Sequence, residues 1–434
     1  MITIFGHRFG RAVGSPWTET FPVREEIFGI ERLEQHAASL AAAQPITSRP
    51  VSVPSLRARL DDNAAVLLAA YRTSAADLES RGSVVPAAEW LLDNHHLVEE
   101  QIREIRDDLP AGYYRQLPKL AEGPFVGYPR VFGIAWAFVA HTDSHFDPET
   151  LRRFVAAYQR VQPLSIGELW AVAITLRIVL IENLRRLTDQ ITVGRAQRAD
   201  ADALADRLQK VGDARSALEA DISVRSPGPL TDVFAGQLAK RLRDLDPRTM
   251  PALDWLDERL GRQGMTADEA VRRAQQRQGA SNVTVRNVIT SMRLISDIDW
   301  ADLFESVSLV DARLRETSAF ADMDFPTRNL YRSAIEQLAR RSPFSELKVT
   351  DRAIAAAAEA ARAATDPSEA ERVGDPGFHL IGRGRRALER DLKFRPPLRL
   401  WITRLDTRLG IGGYVGALML VTVALLTAAL STLA

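Results

Sequence analysis

The sequence predicts an all-α protein, with a cytoplasmic body of many helices followed by one C-terminal transmembrane helix. Three observations lead to this prediction. Ala, Leu, Arg and Glu are abundant, whereas alternating β-branched runs of strand length are scarce. Clusters of Pro and Gly separate the amphipathic segments. The last 24 residues carry no charge.

The 434 residues, 46% of them apolar, are enough for more than one packed core. The clearest internal boundary is Ser226-Pro227-Gly228-Pro229. The predicted segments are a tail with one amphipathic helix and a Pro-rich linker (1–54), a first helical block (55–226), a second helical block (227–376), a basic juxtamembrane segment (377–410) and the transmembrane helix (411–434).

Proline and capping residues define the first helices. Ser55 is placed to cap one helix, and Pro86 lies in the first turn of another. The predicted helices run over residues 25–43, 55–80, 87–108 and 130–141, joined by Pro-rich connectors at 44–54 and 118–129.

Two further helix starts follow from capping patterns. Asp147 precedes Pro148 as an N-cap, and Ser165 with Glu168 has the spacing of a capping box. The segment 169–181 is almost entirely apolar but too short to span a bilayer, which indicates a buried core helix. Beyond it the pattern becomes amphipathic and charged, as in an exposed helical hairpin.

The second block contains seven predicted helices, and Asp-Pro and Gly-rich sequences near residues 366 and 374–377 mark its exit toward the membrane. These helices run over 231–245, 251–261, 266–278, 284–296, 300–316, 326–341 and 350–365.

The terminal segment 411–434 forms, as a helix, a rod of about 36 Å, longer than a hydrocarbon core of about 30 Å. Between Arg383 and Arg408 stand nine cations and three anions. This positive flank predicts that the preceding residues lie in the cytoplasm and attract anionic lipid headgroups.

Composition excludes several classes of protein. Net charge is zero, and no basic stripe with interleaved aromatic residues occurs, so no nucleic-acid partner is predicted. There is no cysteine, which excludes disulfides and thiolate metal sites. The N-terminus lacks the apolar core of a signal peptide.

A histidine pair is the first candidate for chemistry. His141 and His145 have the i, i+4 spacing of zinc ligands on a helix face. Further ligands could come from Asp143, Asp147, His95 and His96. However, the pair straddles a predicted helix end and lacks the H-E-x-x-H glutamate, so no metal site is predicted.

Two aspartate pairs are the second candidate. Asp297 with Asp299, and Asp322 with Asp324, match the Asp-x-Asp motif with which many glycosyltransferases hold a metal and a diphosphate. Both pairs lie among predicted helices rather than at the end of a strand in an α/β sheet. No Walker-type phosphate loop or Gly-x-Ser-x-Gly elbow occurs, and no catalytic or cofactor-binding residue is predicted.

A series of stretches is more specific than a generic helical pattern requires. They are EIFGIERLEQHA (26–37), EWLLDN (89–94), VEEQIREIRDDLP (98–110), YYRQLP (113–118), GYPRV (127–131), VAHTDS (139–144), QPLSIGELWA (162–171), IENLRRL (181–187), ITSMR (289–293), FESVSLVD (304–311) and MDF (323–325). In this order, over about residues 20–434, the chain resembles the amino-terminal region of cyclic β-1,2-glucan synthases, very large glycosyltransferases of the bacterial inner membrane.

The resemblance implies a cytoplasmic helical region that precedes the membrane spans and an embedded transferase domain. In that family the transferase polymerises glucose from UDP-glucose with a divalent metal. The family's Gln-x-x-Arg-Trp motif is missing here, since none of the seven tryptophans follows an arginine. We therefore expect a chain truncated before the catalytic domains, inactive alone, that scaffolds or regulates a transferase domain of the same or a separate polypeptide.

Two alternatives remain open. The chain could be a self-contained, tail-anchored helical interaction protein, or a carbohydrate-active α/α barrel, for which no persuasive carboxylate pair is present. In each case the predicted interaction surface combines aromatic and cationic residues of the kinds enriched at interfaces. These residues are Trp90, Tyr113, Tyr114, Arg115, Tyr128 and Arg130. They could instead pack the helices of the first block.

Overall fold

A computed structural model describes residues 21–81, 85–211, 213–225, 228–244, 249–397, 419 and 422–423. Throughout this part of the chain helices dominate, and the predicted all-α class is confirmed. Backbone contacts divide the chain into two compact units, residues 1–307 and 308–434. The predicted five-segment division stays a prediction, and its internal boundary at 226–227 lies outside the described residues.

The first unit contains thirteen of the described helices and one antiparallel ribbon, in which β1 (Ile46–Thr47) pairs with β2 (Lys119–Leu120). The helices are α1 (Ile30–Ala42), α2 (Leu56–Arg81), α3 (Pro86–Asp93), α4 (His95–Asp108), α5 (Ala111–Gln116), α6 (Arg130–His141), α7 (Pro148–Gln159), α8 (Ile166–Leu208), α9 (Ala214–Arg225), α10 (Asp232–Asp244), α11 (Met250–Gly261), α12 (Ala267–Asp297) and α13 (Trp300–Val307).

Several helix starts match their capping signals. Ser55 Oγ accepts from the Ala58 N–H at 3.1 Å at the start of α2. Asp147 caps α7, and Ser165 with Glu168 forms the complete capping box of α8. These predictions are confirmed because the hydrogen bonds involved span only three residues.

The predicted helix over 87–108 is instead two helices, because the chain breaks at Asn94. Its backbone is non-helical, with φ −120° and ψ 16°. Its side chain donates to the Trp90 carbonyl at 2.9 Å. An asparagine side chain can compete with the helix for backbone hydrogen bonds in this way. The prediction of one continuous helix did not include this effect.

Two long helices, α8 and α12, each contribute to two apolar cores. The first half of α8 is buried against α6, and its end packs into a second cluster with α9, α10 and α11. The two helices predicted over 266–278 and 284–296 are one helix of 31 residues. Gly279 lies in its exposed middle. One helical glycine costs about 1 kcal/mol, too little to end a helix packed at both ends.

Helix α10 packs closely between α8 and α12. A Cβ at Gly236 would lie 3.1 Å from Val271 Cα, so a side chain there would push the two backbones apart. Ion pairs link α10 to both long helices. They include Arg241 to Asp206 at 2.6 Å and Asp232 to Arg277 at 2.8 Å.

The second unit is a smaller helical cluster around a buried ion pair. Arg332 donates to Asp311 at 3.1 Å through Nε. The predicted helix over 300–316 is two helices, because Ser308 caps the second with its hydroxyl. Between residues 308 and 397 the helices are α14 (Leu309–Thr317), α15 (Phe325–Ala339), α16 (Glu346–Ala363), α17 (Pro367–Val373), α18 (Pro376–Leu380) and α19 (Arg385–Asp391), with a 3₁₀ turn over Ala319–Asp322.

The predicted transmembrane helix, 411–434, lies outside the described residues except for Met419, Thr422 and Val423, which are helical and exposed. Residues 398–410 of the basic segment also lie outside them. Among the helices of the described ranges, none is both long and apolar enough to cross a bilayer.

Candidate functional site

The predicted interaction surface lies around the β-ribbon and the loop that leads from β2 into α6. The Gly127 N–H donates to the Leu120 carbonyl at 3.0 Å. Gly127 has φ 83°, and a Cβ there would lie 2.8 Å from the Val51 carbonyl oxygen. Glycine is therefore required where this loop crosses the linker, and the loop delivers Tyr128 directly to the start of α6.

Two of the predicted surface residues, Tyr128 and Arg130, are only 2% exposed. Arg130 forms a bidentate ion pair with Glu168, in which Nε donates to Oε1 at 2.8 Å and Nη2 donates to Oε2 at 2.6 Å. Its Nη2 also donates to the Pro163 carbonyl. Burial alone would lower the pKa of Arg130, but the bonds and charge of Glu168 raise it. Arg130 is thus an internal strut between α6 and α8.

The remaining predicted surface residues are more exposed. The Tyr113 hydroxyl donates to the Gly167 carbonyl at 2.5 Å, while its ring is half-buried. Tyr114 and Trp90 are also half-buried, and Arg115 is exposed. The accessible part of the predicted surface is Arg115 together with parts of Trp90, Tyr113 and Tyr114. That it binds a partner stays a prediction.

Sequence reasoning missed a buried lysine beside this surface. Lys119 Nζ lies 2.7 Å from the Tyr114 carbonyl and 3.7 Å from the centroid of the Tyr114 ring. Burial lowers the pKa of Lys119 to about 8, and burial raises the pKa of the Tyr114 hydroxyl to about 12. Within the described residues no carboxylate lies within 4.0 Å of Lys119 Nζ. The ring face of Tyr114 stabilises the ammonium in place of an anion.

Replacing Lys119 by methionine is expected to flatten the pH dependence of stability in the alkaline range. A lysine whose folded-state pKa is near 8, below the unfolded value of about 10.4, makes the protein more stable as pH rises between these values. The free energy of unfolding of the wild-type chain, measured with urea, should therefore increase with pH across this range. In Lys119→Met this increase should be lost. Lys240 is exposed, so Lys240→Met is the matched control, and it should keep the wild-type pH dependence of stability.

A second group that sequence reasoning missed surrounds the buried Glu182 of α8. Its carboxylate accepts from Arg59 at 2.9 Å through two nitrogens, from Asn63 at 2.8 Å and from Arg186 at 2.8 Å. The Arg186 guanidinium lies 5.0 Å from the Trp136 ring. In the sequence, the signal for this cluster is that three charged residues of IENLRRL, Glu182, Arg185 and Arg186, directly follow an apolar run. This cluster ties α2 to α8.

The turn after α6 is a third group, and it involves two of the residues in the VAHTDS stretch. Asp143 and Ser144 have φ 50° and 61°, a left-handed conformation that costs most side chains energy. The Asp143 carboxylate accepts from Thr284 at 2.7 Å, and the Ser144 hydroxyl accepts from Asn183 at 2.8 Å. Ser291 donates to the Ser144 carbonyl. These bonds join α6, α8 and α12.

The histidine pair is separated by this turn. His141 ends α6, and its Nδ1 donates to the Glu26 carbonyl at 2.8 Å. Its ring stacks on Phe28 and meets the edge of His36. His145 is exposed beyond the left-handed turn, so the two rings do not share a helix face. Burial, and then the neighbouring His141, lower the pKa of His36 to about 4.

One aspartate of each pair caps the start of a helix. Asp299 Oδ1 accepts from the Ala301 N–H at 2.8 Å, and Asp324 Oδ1 accepts from the Thr327 N–H at 3.0 Å. In the described ranges, no group of three or more His, Asp and Glu residues is arranged to hold a metal ion.

A small apolar cavity lies among α7, α8 and α13. Its volume is about 30 Å³, whereas pockets for small ligands measure several hundred Å³. Trp170 stacks on Phe304 at its edge, with ring centroids 4.3 Å apart. The cavity is too small for a sugar nucleotide.

The chain is similar to cyclic beta-(1,2)-glucan synthase NdvB of Rhizobium meliloti (strain 1021). The two are 40% identical over 405 residues, which are 92% of this chain and 14% of that protein. The chain therefore spans a small part of the length of the relative it matches. No protein-family model matches the chain. The resemblance predicted from the sequence is confirmed.

Proposed function

We propose that this chain is the cytoplasmic helical region of a cyclic β-1,2-glucan synthase, and that it scaffolds or regulates the glycosyltransferase domain rather than transferring glucose. The similarity to a glucan synthase over nearly the whole chain is the observation that carries this proposal. In the complete synthase, UDP-glucose and a divalent metal would bind to the transferase domain.

The buried carboxylates support a scaffolding role over a catalytic one. Glu168, Glu182 and Asp143 each accept hydrogen bonds from residues on other helices, at 2.6–2.9 Å. Burial alone would raise the pKa of Glu182, but Arg59 and Arg186 outweigh it and hold the pKa below its ordinary value. A carboxylate saturated in this way is a poor proton acceptor and a poor metal ligand, whereas it connects helices well.

We further propose that residues 411–434 cross the inner membrane and leave the helical body in the cytoplasm. The uncharged segment and its basic flank support this orientation. The transferase domain of the same or a separate polypeptide would then meet the body at the membrane face.

An assay with labelled UDP-glucose tests the proposal. The purified chain is expected to make no glucan alone. Added to a synthase from which the corresponding region has been deleted, it is expected to restore glucan synthesis. Glucan made by the chain alone, or no restoration by a folded chain, would contradict the proposal.

The double variant Tyr114→Ala, Arg115→Ala tests the interaction surface within a complete synthase. Glucan output is expected to fall, because the exposed guanidinium and the half-buried ring would be lost from the contact. Tyr71→Ala, Arg72→Ala is the matched control, since it removes the same two residue types, also half-buried and exposed, from α2. Equal output from both variants with normal folding would remove these residues from the proposed surface.

A further inference from the structure

Helix α19 and the residues on either side of it are strongly basic. Residues 383–395 contain six cations and two anions. All six cations except Arg385 are exposed. In the sequence these cations lie in one stretch of the chain. In the structure a second segment adds another cation beside them.

Helix α19 ends in a backbone motif that turns the chain sharply. The Lys393 N–H donates to the Arg390 carbonyl at 3.1 Å, and the Phe394 N–H donates to the Glu389 carbonyl at 2.9 Å. These are the two bonds of a Schellman motif, with Lys393 at its left-handed position at φ 53°. Glycine is the usual residue there, so lysine supplies its charge at some conformational cost.

The turn directs the chain onto the end of α15. The Arg395 N–H donates to the Arg341 carbonyl at 3.0 Å. Arg341, which is exposed, therefore lies beside Lys393 and Arg395, although more than fifty positions separate them in the sequence. Two basic segments form one surface.

The carboxylates of this region are already paired. Asp391 binds Arg352 at 2.7 Å, Glu389 binds Arg385 at 3.1 Å, and Glu336 binds Arg340. In contrast, six exposed cations have no carboxylate within 4.0 Å in the part of the chain that the structure describes. These are Arg341, Arg383, Arg386, Arg390, Lys393 and Arg395.

The position of this surface along the chain favours a lipid partner. Only the fifteen residues 396–410 separate Arg395 from the uncharged segment 411–434, and fifteen residues reach at most about 54 Å. Ile381, 45% exposed, adds an apolar side chain two residues before Arg383. Cations with a nearby exposed apolar residue suit an anionic bilayer interface.

We propose that these six cations form a docking surface for anionic phospholipid headgroups, which holds the second unit against the membrane. The proposal rests on the membrane attachment of 411–434 inferred above. It assigns the attraction for anionic lipid to a specific set of residues, and it adds Arg341, which lies outside the basic segment of the sequence.

The test uses the full chain in nanodiscs of phosphatidylcholine alone or mixed with phosphatidylglycerol. Because the chain has no cysteine, Ala387→Cys provides a single labelling site at an exposed position of α19, one turn from Arg390 and four residues from Arg383. An environment-sensitive probe there is expected to be shielded from aqueous iodide only in discs with phosphatidylglycerol. High salt should reverse the shielding, since it screens the headgroup charge.

The variant Arg341→Gln, Lys393→Gly, Arg395→Gln removes three charges, and glycine at 393 preserves the left-handed turn. The bound-to-free ratio read from the probe is expected to fall roughly fivefold for each cation, about 100-fold in all. Arg103→Gln, Arg262→Gln, Arg272→Gln removes three exposed cations from the first unit and should leave the ratio unchanged.

Equal shielding in both kinds of disc, or the same bound-to-free ratio for both triple variants, would contradict the proposed lipid-docking surface. The UDP-glucose assay is independent of this outcome. A chain that supports glucan synthesis but shows no preference for anionic lipid would leave the proposed function intact and remove only this inference.

Discussion

Replacing Glu182 by leucine is expected to lower the free energy of unfolding of the first unit by about 3–5 kcal/mol. Glu182 is fully buried and Arg186 is 2% exposed at its side chain. Without the carboxylate, the guanidinium of Arg186 stays buried beside Trp136 with its main counter-charge gone. Hydrogen exchange in α2 and α8, together with denaturant unfolding, measures the loss.

Two comparisons separate this effect from a simple loss of packing. Glu219→Leu removes an exposed glutamate from α9 and should change stability by less than about 0.5 kcal/mol. Combining Glu182→Leu with Arg186→Met should recover much of the loss, because Arg59 is more exposed and keeps Asp62 as a partner. A double variant no more stable than the single one would contradict this account.

The same cluster predicts the acid sensitivity of the chain. The folded-state pKa of Glu182 lies below its unfolded value of about 4.3, so its contribution is complete above that pH and is lost as the pH falls through the folded value. The wild-type chain should therefore lose stability more steeply below about pH 4 than Glu182→Gln.

Replacing Arg130 by methionine is the second change with a large expected effect, again about 3–5 kcal/mol. The Glu168 carboxylate is fully buried and would lose its only charged partner among the contacts described here. It would keep the Ser165 N–H, which donates at 2.9 Å. Thermal unfolding followed by circular dichroism measures the effect.

Arg130→Lys keeps the charge but not the bidentate geometry, so an intermediate loss of stability is expected. Arg115→Met, at an exposed neighbour in the predicted surface, should change stability by less than about 0.5 kcal/mol. If Arg130→Met were as stable as Arg115→Met, the interpretation of Arg130 as an internal strut would be wrong.

Local signals were the most reliable part of the sequence. The bounds of α6, the Asp147 cap and the capping box at Ser165 were all predicted, because each depends on residues within one or two turns. Errors occurred where a local signal had to be weighed against packing. Asn94 ends a helix that the periodicity continues, and α12 continues past Gly279, since packing at both ends offsets one unfavourable residue.

The candidate site was predicted less well for a related reason. The sequence singled out Tyr128 and Arg130 as surface residues by type alone. The buried position of Arg130 depends on Glu168, which lies 38 positions after it. Lys119 was overlooked because an isolated lysine in a loop normally faces solvent.

The all-α class, the capped helix starts and the resemblance to cyclic β-1,2-glucan synthases all follow from the amino-acid sequence alone. Which charged side chains are buried and which are exposed depends on how distant segments of the chain pack together. A buried ion must find partners that offset its lost hydration, and the partners of Glu182, Asp143 and Arg130 come from other segments of the chain. Helical periodicity predicts which face is buried, but it does not identify the residue that a distant segment places against it.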